Sequence, residues 1–204
     1  MKSIFEKRDE NNPYTLLLLH GTGGDERDLL PIAGMIDEGA SVLSVRGNVL
    51  ENGMPRFFRR LREGVFDEED LIFRTEELKN FLDDAAEEHG FDRDKVIAVG
   101  YSNGANIAGS LLYHYENVLH GAVLLHPMVP RRGIDLPEMN GTPVFIGAGK
   151  NDPICAPEET EELEASLKKA GAEVKVFWAD QGHQLTRDEI DHAASWYSHV
   201  TKGE

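Results

Sequence analysis

The stretch that most limits what this chain can fold into is Val96-Ile97-Ala98-Val99-Gly100-Tyr101-Ser102-Asn103-Gly104-Ala105-Asn106-Ile107-Ala108. Its first four residues are apolar and mostly β-branched, which predicts a buried strand. Ile107, Leu111 and Tyr115 then recur at the four-residue spacing of one helix face. Between strand and helix lies a Gly-x-Ser-x-Gly frame. A turn this tight needs nearly side-chain-free flanks, hence Gly100 and Gly104, and it lifts the Ser102 hydroxyl above the sheet. The N–H of Asn103 points into the same space from a helix N-terminus, where developing negative charge is stabilised. Ser102 is the candidate nucleophile.

The remaining chain alternates strands with helices. Ile4-Phe5 and Tyr14–Leu19 read as a first hairpin turning at Asn11-Asn12-Pro13. The second of these strands lacks polar alternation, as expected where helices cover both faces. It ends in His20-Gly21-Thr22-Gly23-Gly24-Asp25-Glu26, with Asp25 as the expected cap of a helix from Asp28. That turn lacks the Lys-Ser/Thr ending of a P-loop and the third glycine of a dinucleotide fingerprint. Further strands are predicted at Ser41–Arg46, Lys95–Val99, Gly121–Leu125, Thr142–Ala148 and Glu173–Ala179. Helices are predicted over about 69–88, 103–115, 156–170 and 186–199. Residues 49–69 have no clean period and read either as a lid-like loop or as a short irregular helix. With no repeat, linker or low-complexity tract, the expectation is one α/β domain over 1–204, a mostly parallel sheet with helices on both sides.

Composition narrows the functional classes. The chain has 204 residues, enough to bury a substantial core, and a formal net charge of −16. That charge argues against binding nucleic acid or an anionic membrane surface. The longest apolar run, Leu16 to Leu19, is strand-length, and the N-terminus lacks a signal-peptide pattern. The single cysteine, Cys155, cannot form an internal disulfide, so a cytoplasmic location is expected. No metal-binding pattern is present and no cofactor is expected. Cys155 reads as a buried, inert thiol.

Ligands of such sheets sit beyond the carboxyl ends of the strands. His20-Gly21-Thr22, Ser102, Asp152 and His183 each follow a different predicted strand and can meet at one rim. A serine hydroxyl needs a base, which imidazole supplies, and a carboxylate holds that imidazole in the right tautomer. His183 is the expected base. Asp152 is preferred over Asp180, which lies only three residues before His183. The N–H groups of Thr22 and Asn103 form the expected oxyanion hole, where one donor is worth about 2.7–4 kcal/mol. His20 reads as a structural hydrogen-bonder and His126 as a rim residue. Phe57, Phe58, Phe66, Met128 and Val129 are candidates for an apolar substrate wall. Arg46, Arg59 and Arg60 either favour an anionic or polar substrate or pair with surface carboxylates.

With these stretches in hand, the chain resembles the small serine carboxylesterases of the phospholipase/carboxylesterase family, relatives of the acyl-protein thioesterases. The match rests on Leu-His-Gly-Thr-Gly-Gly-Asp-Glu (19–26), Arg-Gly-Asn (46–48), Gly-Tyr-Ser-Asn-Gly-Ala-Asn-Ile-Ala (100–108), Asn-Asp-Pro (151–153) and Gly-His (182–183). The resemblance implies an α/β-hydrolase fold of about seven strands without a large cap domain. It also implies a Ser102–Asp152–His183 triad that hydrolyses carboxylic esters, as small-molecule substrates, through an acyl-enzyme. Relatives often form homodimers. The thioesterase branch carries Leu at Thr22 and Gln at Asn103, departures that weigh against a lipidated-protein substrate. Dienelactone hydrolases share the architecture but use a Cys nucleophile, so Ser102 argues against that branch. The alternatives are a thioesterase or lysophospholipase with the same triad, or a hydrolase-fold protein that binds ligand without turnover.

Overall fold

Leu16, Leu17, Leu18 and Leu19 are all fully buried because their strand is covered on both faces. The computed structural model describes residues 1–203. Its main sheet has seven strands: β1 (Ser3–Glu6), β2 (Thr15–Leu19), β3 (Ser41–Val45), β8 (Val96–Tyr101), β9 (Gly121–Leu125), β10 (Pro143–Gly149) and β11 (Glu173–Ala179). They lie in the order β1-β3-β2-β8-β9-β10-β11. Only β1 is antiparallel to its neighbour. Strand pleating sends alternate residues to opposite faces. Leu17, Leu19, Leu43 and Ala98 pack under α2 (Glu68–His89), α3 (Asn103–His114) and α4 (Pro157–Lys169). Leu16, Leu18, Val42 and Ile97 pack under α1 (Leu30–Ile36) and α5 (Arg187–Lys202). Each such leucine contributes about 1.5–3 kcal/mol by leaving water.

The helix limits have local causes. The Asp67 carboxylate accepts the Asp70 N–H at 3.2 Å to start α2, and Gly90, at φ 71°, ends it. At α5, Thr186 and Glu189 cap each other reciprocally. Among the described residues no helix is long and apolar enough to cross a membrane.

Three local expectations are corrected. The first two strands form no hairpin, because β1 pairs with β3 in the register Ser3↔Val45 to Glu6↔Val42. The Asp9 N–H on the Gly39 carbonyl and the Asn12 amide on Asp37 lead the connecting chain past the turn before β3. Asp25 does not cap α1; its carboxylate accepts from Arg27 two residues on, and the helix begins at Leu30. Residues 49–66 are not an irregular helix but two small hairpins, β4 (Val49–Glu51) with β5 (Met54–Arg56) and β6 (Arg60–Arg62) with β7 (Val65–Phe66). Asn52 and Gly53, at φ 51° and 79°, make the tight turn of the first. No large cap covers the sheet's carboxyl edge among the described residues; these hairpins border it instead.

Candidate active site

One residue, Ser102, separates β8 from α3, and it stands at φ 53°, ψ −113°. Such a conformation costs a non-glycine residue about 1–3 kcal/mol and must be held by its surroundings. Here the Ser102 N–H donates to the Leu125 carbonyl and the Asn106 N–H to the Ser102 carbonyl, both at 2.9 Å. The flanking glycines are steric necessities. A Cβ on Gly100 would lie 2.5 Å from the Gly104 carbonyl oxygen, and one on Gly104 would lie 1.9 Å from that of Leu19.

The Ser102 Oγ is 2.8 Å from His183 Nε2, and His183 Nδ1 is 2.7 Å from Asp152 Oδ2. An ionised carboxylate only accepts, so Nδ1 carries the ring proton and Nε2 is free to accept from the serine hydroxyl. The other Asp152 oxygen accepts the N–H groups of Ile154 at 2.8 Å and Cys155 at 3.0 Å. Burial works to raise the pKa of Asp152, but those two N–H groups, with His183 and His126, outweigh it and lower the pKa. The Tyr101 hydroxyl donates to the His183 carbonyl at 2.8 Å and pins the loop that presents the imidazole. Asp180 pairs with Lys150 at the surface instead.

Thr22 and Asn103 border the same pocket, of about 330 Å³. The chain after the Asn52-Gly53 turn ties both down. Gly23 N–H donates to the Pro55 carbonyl at 2.9 Å, Arg56 Nη1 to Thr22 Oγ1 at 2.5 Å, and Phe57 N–H to Asn103 Oδ1 at 2.7 Å. His20, lowered in pKa by burial and so neutral, accepts the Gly47 N–H at 3.0 Å and donates from Nδ1 to the Gly21 carbonyl at 2.6 Å.

Of the five apolar wall candidates, Phe66 and Met128 border the pocket. Phe57 and Phe58 do not: both are fully buried, Phe57 against the His20 ring and Phe58 edge-on to Phe66. Val129 is also buried in the core rather than on the wall. Of the arginines, Arg46 bonds to Glu26 and Asp25, Arg59 lies beside Asp67 and Asp70, and Arg60 grips Glu51 bidentately at 3.0 and 2.8 Å. Arg60 nevertheless borders the pocket, as do Ile154 and Cys155. Burial pushes the Cys155 thiol pKa up, which keeps it protonated.

Sequence reasoning passed over Arg56, a pocket-lining cation only 3% exposed. It also misplaced His126, which is not on the rim but buried at the end of β9. Its Nδ1 is 3.0 Å from Asp152 Oδ2, and its Nε2 is 3.3 Å from Glu189 Oε2. No local pattern marks that pair, since His126 and Glu189 are 63 positions apart.

A parallel sheet with a strained serine elbow, and a serine–imidazole–carboxylate chain at its carboxyl edge, define the α/β-hydrolase class. The dienelactone hydrolase family model matches residues 61–200. The chain is 64% identical over 197 residues to MhqD of Bacillus subtilis (strain 168), which carries a hydrolase name; the match covers 97% of this chain and 98% of that one. The crystal structure of the Bacillus cereus carboxylesterase superposes with a TM-score of 0.97 at 62% identity, covering 98% and 94% of the two chains. The structure of YahD with malic acid gives 0.92 at 31% identity, covering 98% of each. The chain belongs to the dienelactone hydrolase family and is a hydrolase. This corrects the inference from Ser102 against that branch: the family match holds with serine at the elbow.

Proposed function

We propose that this carboxylic ester hydrolase cleaves small esters through Ser102, His183 and Asp152 by way of an acyl-enzyme. The observation that carries the reading is the unbroken run from the Ser102 hydroxyl through both His183 nitrogens to Asp152, at 2.8 and 2.7 Å. Ser102 Oγ attacks the ester carbonyl as His183 Nε2 takes its proton. The carbonyl oxygen becomes an oxyanion, and the N–H groups of Thr22 and Asn103 receive it. His183 returns the proton to the leaving alkoxide as the tetrahedral adduct collapses to the acyl-enzyme. Water then attacks with His183 again as base, and the acid product leaves with Ser102 restored. Asp152 remains ionised throughout and supports the imidazolium that forms twice in the cycle.

A pocket of about 330 Å³, bordered by Phe66, Met128 and Ile154 and by Arg56 and Arg60, favours short acyl groups over long lipid chains. Initial rates on p-nitrophenyl esters from acetyl to decanoyl, wild type beside Ser102→Ala, test the reading. The wild type is expected to prefer the short esters, and the variant to lose about 10⁴-fold or more in kcat. Equal rates in the two proteins would overturn the mechanism.

A further inference from the structure

We infer that His126 is a positioning residue, a cation held between Asp152 and Glu189 that fixes the triad carboxylate and tempers its charge toward His183. The inference rests on the proposed triad. Each ring nitrogen of His126 faces a carboxylate oxygen, Nδ1 that of Asp152 at 3.0 Å and Nε2 that of Glu189 at 3.3 Å. With both carboxylates ionised and so only accepting, both contacts are hydrogen bonds when the ring donates from both nitrogens. His126 and Glu189 side chains are fully shielded from solvent. Among the described residues, the ion pair of Glu189 is with His126, and its other oxygen is buried without a hydrogen-bond partner. A carboxylate buried there is stabilised by pairing with a cation, and the group placed to pair with it is the His126 ring. Burial would by itself lower the pKa of His126, but Glu189 and then Asp152 outweigh it, and the net shift is upward.

The consequence falls on Asp152. With Ile154 and Cys155 N–H groups on one oxygen and two imidazoles on the other, its carboxylate is held from four sides. His126⁺ also sets a positive charge beside the Asp152–His183 pair, its ring centre 5.3 Å from that of His183. The groups facing the His126 ring come from several elements. They are Asp152 from the β10–α4 connection, Glu189 from α5, His183 from beyond β11 at 5.3 Å between ring centres, and Tyr101 from β8 at 6.0 Å. The Cys155 thiol donates to the His126 carbonyl at 3.4 Å.

The test is ¹⁵N and ¹H NMR of the histidine rings in the resting enzyme across pH, beside pH profiles of kcat/KM, for wild type, His126→Gln and Glu189→Gln. Both His126 nitrogens are expected to carry protons at neutral pH. In His126→Gln, which removes that positive charge, the acid limb of kcat/KM is expected to move to higher pH. In Glu189→Gln, the His126 titration is expected to fall; this isosteric variant carries the test should His126→Gln not fold. A neutral His126 ring at pH 7, or an acid limb of kcat/KM unmoved in His126→Gln, would overturn the inference, as would an unmoved His126 titration in Glu189→Gln. The ring signals are read without turnover. If Ser102→Ala left hydrolysis intact, the triad reading would fail while the protonation of His126 was still measured.

Discussion

Ser102 and His126 both sit at positive φ, 53° and 55°, at the carboxyl ends of adjacent strands β8 and β9. Each conformation costs about 1–3 kcal/mol, and each points a functional group toward Asp152 and His183. The Ser102 conformation depends on α3 lying against β2 with no side chain at Gly104. A methyl there would meet backbone oxygens of Leu19 and His20 at 1.9 and 2.7 Å, and neither can move without shifting the strand end. Gly104→Ala is therefore expected to destabilise the protein by about 1–3 kcal/mol. It should also abolish labelling of Ser102 by a serine-directed fluorophosphonate. Thermal unfolding and the labelling rate check this; wild-type values for both would mean that α3 stands further from β2 than its backbone contacts require. The elbow was legible in the sequence because Gly100, Ser102 and Gly104 act on one another locally. His126 was not, because its partners come from α5 and from the turn after β10. Thr186 and Glu189 form a capping box, which accounts for Glu189 as a helix start without its contact to a histidine.

At the scale of elements, the strand β5 and the residue after it matter more to the site than their length suggests. Three successive residues, Pro55, Arg56 and Phe57, hold Gly23, Thr22 and Asn103, tying down the two backbone turns that would cradle the oxyanion. Burial, and then Arg60, lower the Arg56 pKa to about 10, with Glu51 partly offsetting them, so its guanidinium stays charged at neutral pH and its bond to Thr22 is charge-assisted. Thr22→Val keeps the backbone N–H and the shape of the residue but removes the acceptor. Full loss of an oxyanion donor costs about 2.7–4 kcal/mol. A loosened donor is expected to lower kcat about tenfold with KM little changed. Steady-state kinetics on a short p-nitrophenyl ester measure this, and a fall confined to KM would assign Thr22 to substrate binding instead. The alternation of strands and helices was readable because each main element has its own period. Residues 49–66 were not, since strands of two or three residues carry no period, although Asn52-Gly53 is itself a hairpin signal. The pairing of β1 with β3 was hidden for a different reason. A short apolar stretch specifies that a strand forms, not which distant strand receives it.

For the molecule as a whole, the formal net charge of −16 makes the acid edge of stability informative. Glu26 is only 1% exposed and joins the β2–α1 turn to Arg46 and, through Lys2, to the N-terminal strand. Burial works to raise its pKa, but its own backbone N–H, Arg46 and Lys2 outweigh burial and bring it from the ordinary 4.5 to about 2. A carboxyl group whose folded pKa is depressed binds protons more readily when unfolded. Its contribution is therefore present above pH 4.5 and is lost as the pH falls through about 2. Asp152 is shifted in the same direction, so it too contributes stability that is lost on acidification. Glu26→Gln separates one contributor from the rest. The amide cannot replace the ion pairs, so the variant should be about 1–3 kcal/mol less stable at pH 7. It should also lose stability less steeply between pH 4.5 and about 2, so that its curve converges on the wild type's at the acid end. Chemical unfolding followed by circular dichroism at a series of pH values measures both curves. Parallel curves across that interval would show that Glu26 titrates alike in the folded and unfolded chains, and that the junction draws its stability from packing rather than from charge.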